Sequence, residues 1–222
     1  MDVLEAISSR KSIRGFKADP VSKEVLRSII EIALRSPSAM NSQPWEFTII
    51  AGEVLENIKK GNMAKLESGA LPCPDHPMQA FAGVYRQRQV DLAVQLFQLM
   101  GITREDRAKR GEWMKRGFRF FDAPAAIVLA VDRSIKPWWE LFDLGAISQT
   151  ICLAALQYGL GTCIEDQGVM FPDVIRQYTG IPENKRIIIC IAVGYPASDF
   201  PANMLRSERV TVEDVTTWCG FD

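Results

Sequence analysis

A cluster of basic side chains follows the first predicted helix and could bind an anion. Arg10, Lys11 and Arg14 place three cations within five residues, and Ser12 adds a hydroxyl between them. Guanidinium groups bind phosphate through forked, charge-assisted hydrogen bonds, and a serine hydroxyl contributes a neutral one. The same pattern is also typical of a solvated basic turn, so the segment by itself leaves both interpretations open.

A second segment that could contact a ligand lies between a predicted helix and a predicted strand. Residues 36–45 read Ser-Pro-Ser-Ala-Met-Asn-Ser-Gln-Pro-Trp. Small polar side chains and free backbone amides held between two core elements suit a flat, hydrogen-bonding ligand. Because Pro, Ser and Asn also form ordinary turns, a plain connecting loop is the alternative for this segment taken alone.

Hydrophobic periodicity predicts the elements that position these two segments in a single α+β domain. Strands are expected at 45–50, 125–131 and 186–193, and helices at 3–7, 25–34, 54–60 and 81–99, followed by a basic helix that Thr103 would cap and an apolar helix over 140–158. A loop is expected over 61–77, and the charges of the basic helix are expected to form a solvated face. The helix over 140–158 is apolar nearly all round, so it lies either at the centre of the core or in a core shared with a second subunit.

Composition favours a soluble globular enzyme. The chain has 222 residues, of which 47% are hydrophobic and 24% are charged, and its net charge of −1 favours neither nucleic acid nor an anionic membrane as a partner. No apolar targeting segment follows Met1, no uncharged run is long enough to span a bilayer, and the five cysteines are scattered, so we expect a cytoplasmic protein. The single histidine, His76, gives no metal-ligand spacing.

Taken together, four segments in order make the chain resemble the nitroreductase family of flavin enzymes. They are residues 10–14, residues 36–45, Gly159-Leu160-Gly161-Thr162-Cys163-Ile164-Glu165, and the basic pair Arg206 and Arg209. The resemblance implies one domain over 1–222, in which helices flank a central mixed β-sheet. It also implies an intertwined homodimer in which the C-terminal arm, residues 201–222, crosses onto the partner, and in which both chains build each FMN site.

The resemblance also implies roles for single residues. Arg10, Lys11, Ser12, Arg206 and Arg209 would hold the FMN phosphate. Arg14 would lie near the pyrimidine edge of the flavin and stabilise the negative charge of the reduced ring. The remaining cofactor contacts would come from Pro37, Ser38, Ala39 and Asn41 of the partner subunit, and from the backbone around Gly161, Ile164 and Glu165.

The implied reaction needs no dedicated catalytic side chain. NADH or NADPH reduces the flavin, leaves, and is replaced by an aromatic acceptor that takes two electrons, which is a ping-pong sequence. The variable lid of the family corresponds to residues 63–119, where a substrate contact is expected from Tyr85, Arg86, Arg88 and Trp113. Cations above an apolar slot suit an anionic aromatic such as a nitrobenzoate, and a quinone is an alternative acceptor.

Two other functions stay open at the level of sequence. One is reductive dehalogenation of a halogenated aromatic on the same fold. However, the Glu with a Tyr four residues later that grips a halotyrosine is absent from this chain. The other is a non-catalytic protein that binds FMN for regulation or storage. A further expectation concerns Glu165 and Asp166, whose charges would lower the flavin potential if they faced the cofactor.

Overall fold

The computed structural model describes residues 2–77 and 79–221. Within them the chain forms seven α-helices and four β-strands, which are α1 (Val3–Ser9), α2 (Lys23–Ala33), β1 (Trp45–Ala51), α3 (Gly52–Glu67), α4 (Gly83–Leu99), α5 (Arg107–Phe118), β2 (Ala125–Asp132), α6 (Pro137–Gln157), β3 (Gly161–Glu165), α7 (Pro172–Thr179) and β4 (Lys185–Gly194). The α+β class predicted from the sequence is confirmed.

The four strands form one sheet in the order β1-β2-β4-β3, and every pair of neighbouring strands is antiparallel. The prediction of a mixed sheet is therefore wrong for the described residues. A parallel contact does exist, but it is a single bridge between Ser12 and Thr162 that attaches the N-terminal segment to the edge strand β3. The antiparallel arrangement follows from β4, which lies between β2 and β3 and runs opposite to both.

The sheet separates two apolar layers. On strand β2, Ile127 and Leu129 face a cluster that includes α2 and α6, whereas Ala126 and Val128 face a cluster that includes α3 and α7. Successive side chains of a strand point to opposite faces, so a continuous apolar run is required when both faces are covered. This explains why β2, predicted from its apolar run, has no exposed position.

Helix α6 is the long apolar helix expected from the sequence, and by length and composition its segment Trp138–Gln157 could cross a membrane. It packs instead against α2 and the sheet, with Leu144, Ile147 and Ile151 buried. Of its acidic residues, Glu140 is fully buried; its Oε1 atom pairs with Arg186 at 2.6 Å, while its Oε2 atom has no hydrogen-bond partner among the described residues. These contacts are those of a core helix.

Helix α3 continues to Glu67, so the prediction of a loop from residue 61 is wrong. Gly61 lies inside the helix, where a side chain would meet the Cγ1 atom of Val174 at 2.6 Å. The glycine allows α3 and α7 to approach closely and does not break the helix. Strand β3 and helix α7 were not expected from the sequence either.

Asp106, not Thr103, caps helix α5. Its Oδ1 atom accepts a hydrogen bond from the Lys109 N–H at 2.9 Å. The basic helix is also not a uniformly solvated face, since the side chain of Arg116 is only 19% exposed. The reason lies in the contacts that this arginine makes with the site described below.

Candidate functional site

A cavity of about 540 Å³ lies where the N-terminal segment meets the start of the C-terminal arm. Its lining includes the hydroxyl-bearing Ser12 and five cationic residues, Arg10, Lys11, Arg14, Arg206 and Arg209. The structure thus brings together, from opposite ends of the chain, six residues that the sequence predicted to share a site. We call this space the cationic cavity.

None of the five cationic residues forms a salt bridge with any residue in 2–77 or 79–221. The described lining also includes no carboxylate. Like charges gathered without counter-charges repel one another, which costs stability unless an anion occupies the space between them. The donor set matches a phosphate group, because forked guanidinium donors and a hydroxyl fit its oxygens.

An extended backbone positions the first half of the cavity. Arg10, Ser12 and Arg14 occupy every second position of this segment. Ile13, between Ser12 and Arg14, is buried, and its N–H donates to the Thr162 carbonyl of β3 at 2.9 Å. Gly161 is required beneath this segment, because a side chain there would approach the Cγ1 atom of Ile13 to 2.5 Å. The expected site residue Gly161 therefore acts by letting the segment lie against β3, and it lines a smaller cavity behind the segment and not the cationic cavity.

The loop expected to contact the ligand lies on helix α6 and not beside the cationic cavity of its own chain. The Ala39 N–H donates to the Asp143 carboxylate at 3.2 Å, and the Ser36 hydroxyl donates to Thr150 at 2.8 Å. The predicted contact residues Pro37, Ser38, Ala39 and Asn41 contribute nothing to the described lining of the cavity. Within a single chain, these four residues and Arg10 therefore do not line the same cavity.

Backbone strain marks the same loop. Met40 and Asn41 have φ angles of 50° and 59°, in the left-handed region that residues with side chains rarely occupy. The Met40 side chain is fully exposed. Strained residues of this kind persist where the surroundings hold them, and they concentrate at ligand-binding loops.

Strand β3 presents Ile164 outward and Glu165 inward. Ile164 is the exposed member of the strand, whereas the Glu165 carboxyl is buried, accepting from the Gly168 N–H at 2.9 Å and from the Cys190 thiol at 2.7 Å. Burial raises the pKa of the Glu165 carboxyl to about 8, and the nearby Asp166 adds to the rise. The Glu165 carboxyl thus points into the core and away from the exposed side of β3, and its raised pKa favours the neutral form, so neither feature supports the expected effect of its charge on the flavin potential.

The substrate residues expected on α4 lie on two different faces of that helix. Tyr85, Arg88 and Leu92 follow one another at helical spacing, with the Arg88 guanidinium 5.9 Å from the centre of the Tyr85 ring. Leu92 lines the cationic cavity. Arg86 instead lines a separate groove of about 1130 Å³ between α4 and α5. Tyr85 and Arg88 thus share a helix face with the cavity-wall residue Leu92, whereas Arg86 does not.

Trp113 packs in a small apolar cluster with Leu96, Ala202 and Leu205. It does not belong to the described lining of the cationic cavity, although its neighbour Leu205 does. Trp113 thus supports the cavity wall through Leu205, and its contact with a substrate stays a prediction.

Two residues near the site were missed by the sequence reasoning. Asn203 is 6% exposed and bonds the backbone of Arg14 and Gly15, and Arg116 bonds the Arg14 carbonyl. Arg116 lies in a run of basic residues that was predicted to face solvent, so its role was not recognised. The sequence near Asn203 does not indicate a contact with a segment almost 190 residues away. A buried arginine within an apparent solvent face can be recognised only from its partners.

Comparison with known proteins gives consistent matches along the chain. The sequence model of the nitroreductase family matches residues 7–195. A nitrobenzene nitroreductase of Ectopseudomonas oleovorans is 31% identical over 96% of this chain and 95% of its own length, and a 4-nitrobenzoate reductase of Pseudomonas putida is 29% identical over 97% and 95%. The crystal structure of an FMN and NADPH-dependent nitroreductase, NfnB from sphigopyxis sp. strain HMH, matches with a TM-score of 0.94 and 27% identity over the whole of both chains.

Proposed function

Since the chain belongs to the nitroreductase family, we propose that it is an FMN-dependent oxidoreductase that takes electrons from NADH or NADPH and reduces nitroaromatic or quinone acceptors. The observation that carries the proposal is the cationic cavity, in which five cations and Ser12 meet without a counter-charge among the described residues. Such a set fits the phosphate of FMN, and it leaves the charges free to bind it. NfnB, whose fold this chain shares, is FMN- and NADPH-dependent.

Within this proposal, Arg10, Lys11, Ser12, Arg206 and Arg209 hold the phosphate. Bound FMN supplies the redox chemistry, by accepting a hydride and passing the electrons on. The protein orients the cofactor and stabilises charge, and the Arg14 guanidinium is available for the latter because no carboxylate pairs with it in the described part of the chain. The family resemblance supports a contact of the backbone around Ile164 with the flavin edge, and Ile164 is the exposed residue of β3.

The second part of the proposal is that two copies of the chain complete each site. It is supported by the loop at 37–41, which lies away from the cavity of its own chain, and by a large exposed apolar surface. That surface comprises Val3, Leu4 and Ile7 of α1, Trp138, Trp139 and Phe142 of α6, and Val210, Val212, Val215, Trp218 and Phe221 of the C-terminal arm. Many large apolar side chains left exposed on three elements are consistent with contact surfaces between two copies of the chain. A native mass of one 24.9 kDa chain in solution, not two, would contradict it.

We also propose a soluble, cytoplasmic location. The five cysteines are free, and three of them are buried, which is typical of proteins kept in a reducing compartment. Helix α6 has its carboxylates bonded within the fold, so its apolar length serves the core and the proposed interface.

An anaerobic absorbance titration tests the function. The protein is reconstituted with FMN, then titrated with NADH or NADPH, and finally with 4-nitrobenzoate. We expect the flavin band to bleach in one two-electron step and to return when the acceptor is added, with ping-pong steady-state kinetics. FMN that binds without bleaching would favour a carrier or regulatory protein, and the absence of FMN binding would overturn the proposal. A requirement for a ternary complex would refute the ping-pong sequence alone.

The two arginines of α4 make a matched test of substrate choice. Arg88→Ala is expected to lower kcat/KM for 4-nitrobenzoate by up to about fivefold relative to nitrobenzene, because one exposed ion pair contributes at most about 1 kcal/mol. Arg86→Ala, which removes the same charge from the other face of the helix, is expected to leave this ratio unchanged. Steady-state rates with both acceptors decide it, and equal effects of the two substitutions would remove Arg88 from the substrate site.

A further inference from the structure

Asn203 joins the two halves of the cationic cavity. Its Oδ1 atom accepts hydrogen bonds from the N–H groups of Arg14 and Gly15 at 2.8 and 3.1 Å, and its Nδ2 atom donates to the carbonyls of Gly15 and Ala197 at 2.7 and 3.0 Å. A side-chain amide has two donor hydrogens and two acceptor lone pairs, so its whole hydrogen-bonding capacity is used. The side chain lies in the turn Pro201–Met204, directly before Leu205 and Arg206 of the cavity wall.

Arg116 holds the other side of the same backbone unit. Its Nη2 atom donates to the Arg14 carbonyl at 2.9 Å, while its guanidinium lies 4.8 Å from the centre of the Phe200 ring and pairs with Asp122 at 3.0 Å. Both the N–H and the carbonyl of Arg14 are thus bonded by side chains from distant parts of the chain. Neither Asn203 nor Arg116 belongs to the described lining of the cationic cavity.

The packing beneath these bonds leaves little freedom. A side chain at Gly15 would lie only 2.1 Å from the Phe200 ring, so the glycine is needed for the two segments to touch. The Ala197 N–H also donates to the Gly15 carbonyl at 3.0 Å. A shift of the segment at 197–203 must therefore move Arg14, and with it the extended run that carries Ser12 and Arg10.

We propose that Asn203 and Arg116 are positioning residues for cofactor binding, which lock the Arg14 backbone to the segment leading to Arg206 and Arg209 and so set FMN affinity without touching FMN. The inference rests on the proposed function, because it takes the cationic cavity as the phosphate site. Its physical basis is preorganisation: cations held in register before binding need not be ordered during binding.

The experiment compares Asn203→Ala with Asn62→Ala in the full-length protein. Asn62 is a fully buried asparagine whose Nδ2 atom donates to the Phe118 and Gly168 carbonyls at 3.0 Å, so its loss also removes buried side-chain-to-backbone bonds. Apoprotein is titrated with FMN and with riboflavin by quenching of flavin fluorescence, and its unfolding in urea is measured in parallel. Riboflavin lacks the phosphate and reports on the ring contacts alone.

Asn203→Ala is expected to raise the Kd for FMN about tenfold, since it removes several hydrogen bonds that hold the cations in place. Asn62→Ala is expected to change that Kd less than twofold, even where both variants lose similar stability to urea. Asn203→Ala with an unchanged Kd for FMN, or with the same effect as Asn62→Ala, would show that its role is only structural.

A second variant keeps the test decisive if Asn203→Ala does not fold. Arg116→Lys retains the positive charge but loses the planar fork that reaches the Arg14 carbonyl, and we expect a threefold to fivefold higher Kd for FMN. An unchanged Kd in this variant overturns the inference. Wild-type protein that binds neither FMN nor riboflavin overturns the proposed function and this inference together, whereas normal wild-type binding with unaffected variants overturns the inference alone.

Discussion

Arg10→Ala is expected to weaken FMN binding by about 10-fold to 100-fold and to leave riboflavin binding within about twofold of wild type. A hydrogen bond to a charged group contributes about 1.5 to 3 kcal/mol, and each 1.4 kcal/mol is a factor of ten in Kd. Arg10 has no carboxylate partner in the described part of the chain, so its removal leaves no unpaired acid behind. The substitution should therefore weaken the contact with the FMN phosphate and leave the free energy of unfolding nearly unchanged.

The measurement is a fluorescence-quenching titration of apoprotein with each flavin, at two salt concentrations. The effect of Arg10→Ala should shrink at high salt, because screening already weakens the wild-type contact. Arg27→Ala is the matched control, since Arg27 is an exposed arginine of α2 paired with Glu31 on the same helix. Equal losses for FMN and riboflavin would mean that Arg10 supports the site generally and does not contact the phosphate.

The grouping of the cavity residues could be predicted from the sequence, with the aid of the family resemblance. The sequence shows Arg10, Ser12 and Arg14 at alternate positions, and this spacing places them on one side of an extended chain. The local sequence around these residues does not show that they meet Arg206 and Arg209 in the folded chain. This meeting depends on Asn203, whose three hydrogen bonds to Arg14 and Gly15 connect residues nearly 190 positions apart, and hydrophobic periodicity does not predict such a contact.

Other features of the fold were not predictable because tertiary packing overrides local preference. Gly61 looks like the end of a helix, but in the structure it makes room for Val174 of α7. Glu165 was expected beside the cofactor, but its side chain points into the core toward Cys190. Both errors have one origin: a residue type was interpreted by its usual environment, while its neighbours in space come from elements far away in the chain.

Glu165→Gln is expected to reduce the loss of stability that the wild-type protein suffers as the pH rises. The pKa of the Glu165 carboxyl is about 8 in the fold, against 4.5 for an ordinary glutamate, so the folded state binds more protons than the unfolded state between these values. The free energy of unfolding must then fall with rising pH, by about 1.4 kcal/mol per pH unit across this window, and level off above pH 8. Glutamine keeps an acceptor for the Gly168 N–H but cannot ionise.

Urea unfolding at pH 5.5 and pH 8.5 measures this effect. We expect the free energy of unfolding to fall by about 3 kcal/mol more in wild type than in Glu165→Gln. The control is Glu31→Gln, which removes an exposed carboxylate and is expected to behave as wild type.

Because Glu165 ends the strand that carries Ile164 beside the N-terminal segment, ionisation of this buried acid should also loosen the flavin side of the site. FMN release should therefore accelerate above pH 8 in wild type and much less in the variant. Parallel pH dependence of stability in the two proteins would show that Glu165 is already ionised at neutral pH, and the carboxylate would again be a candidate for lowering the flavin potential.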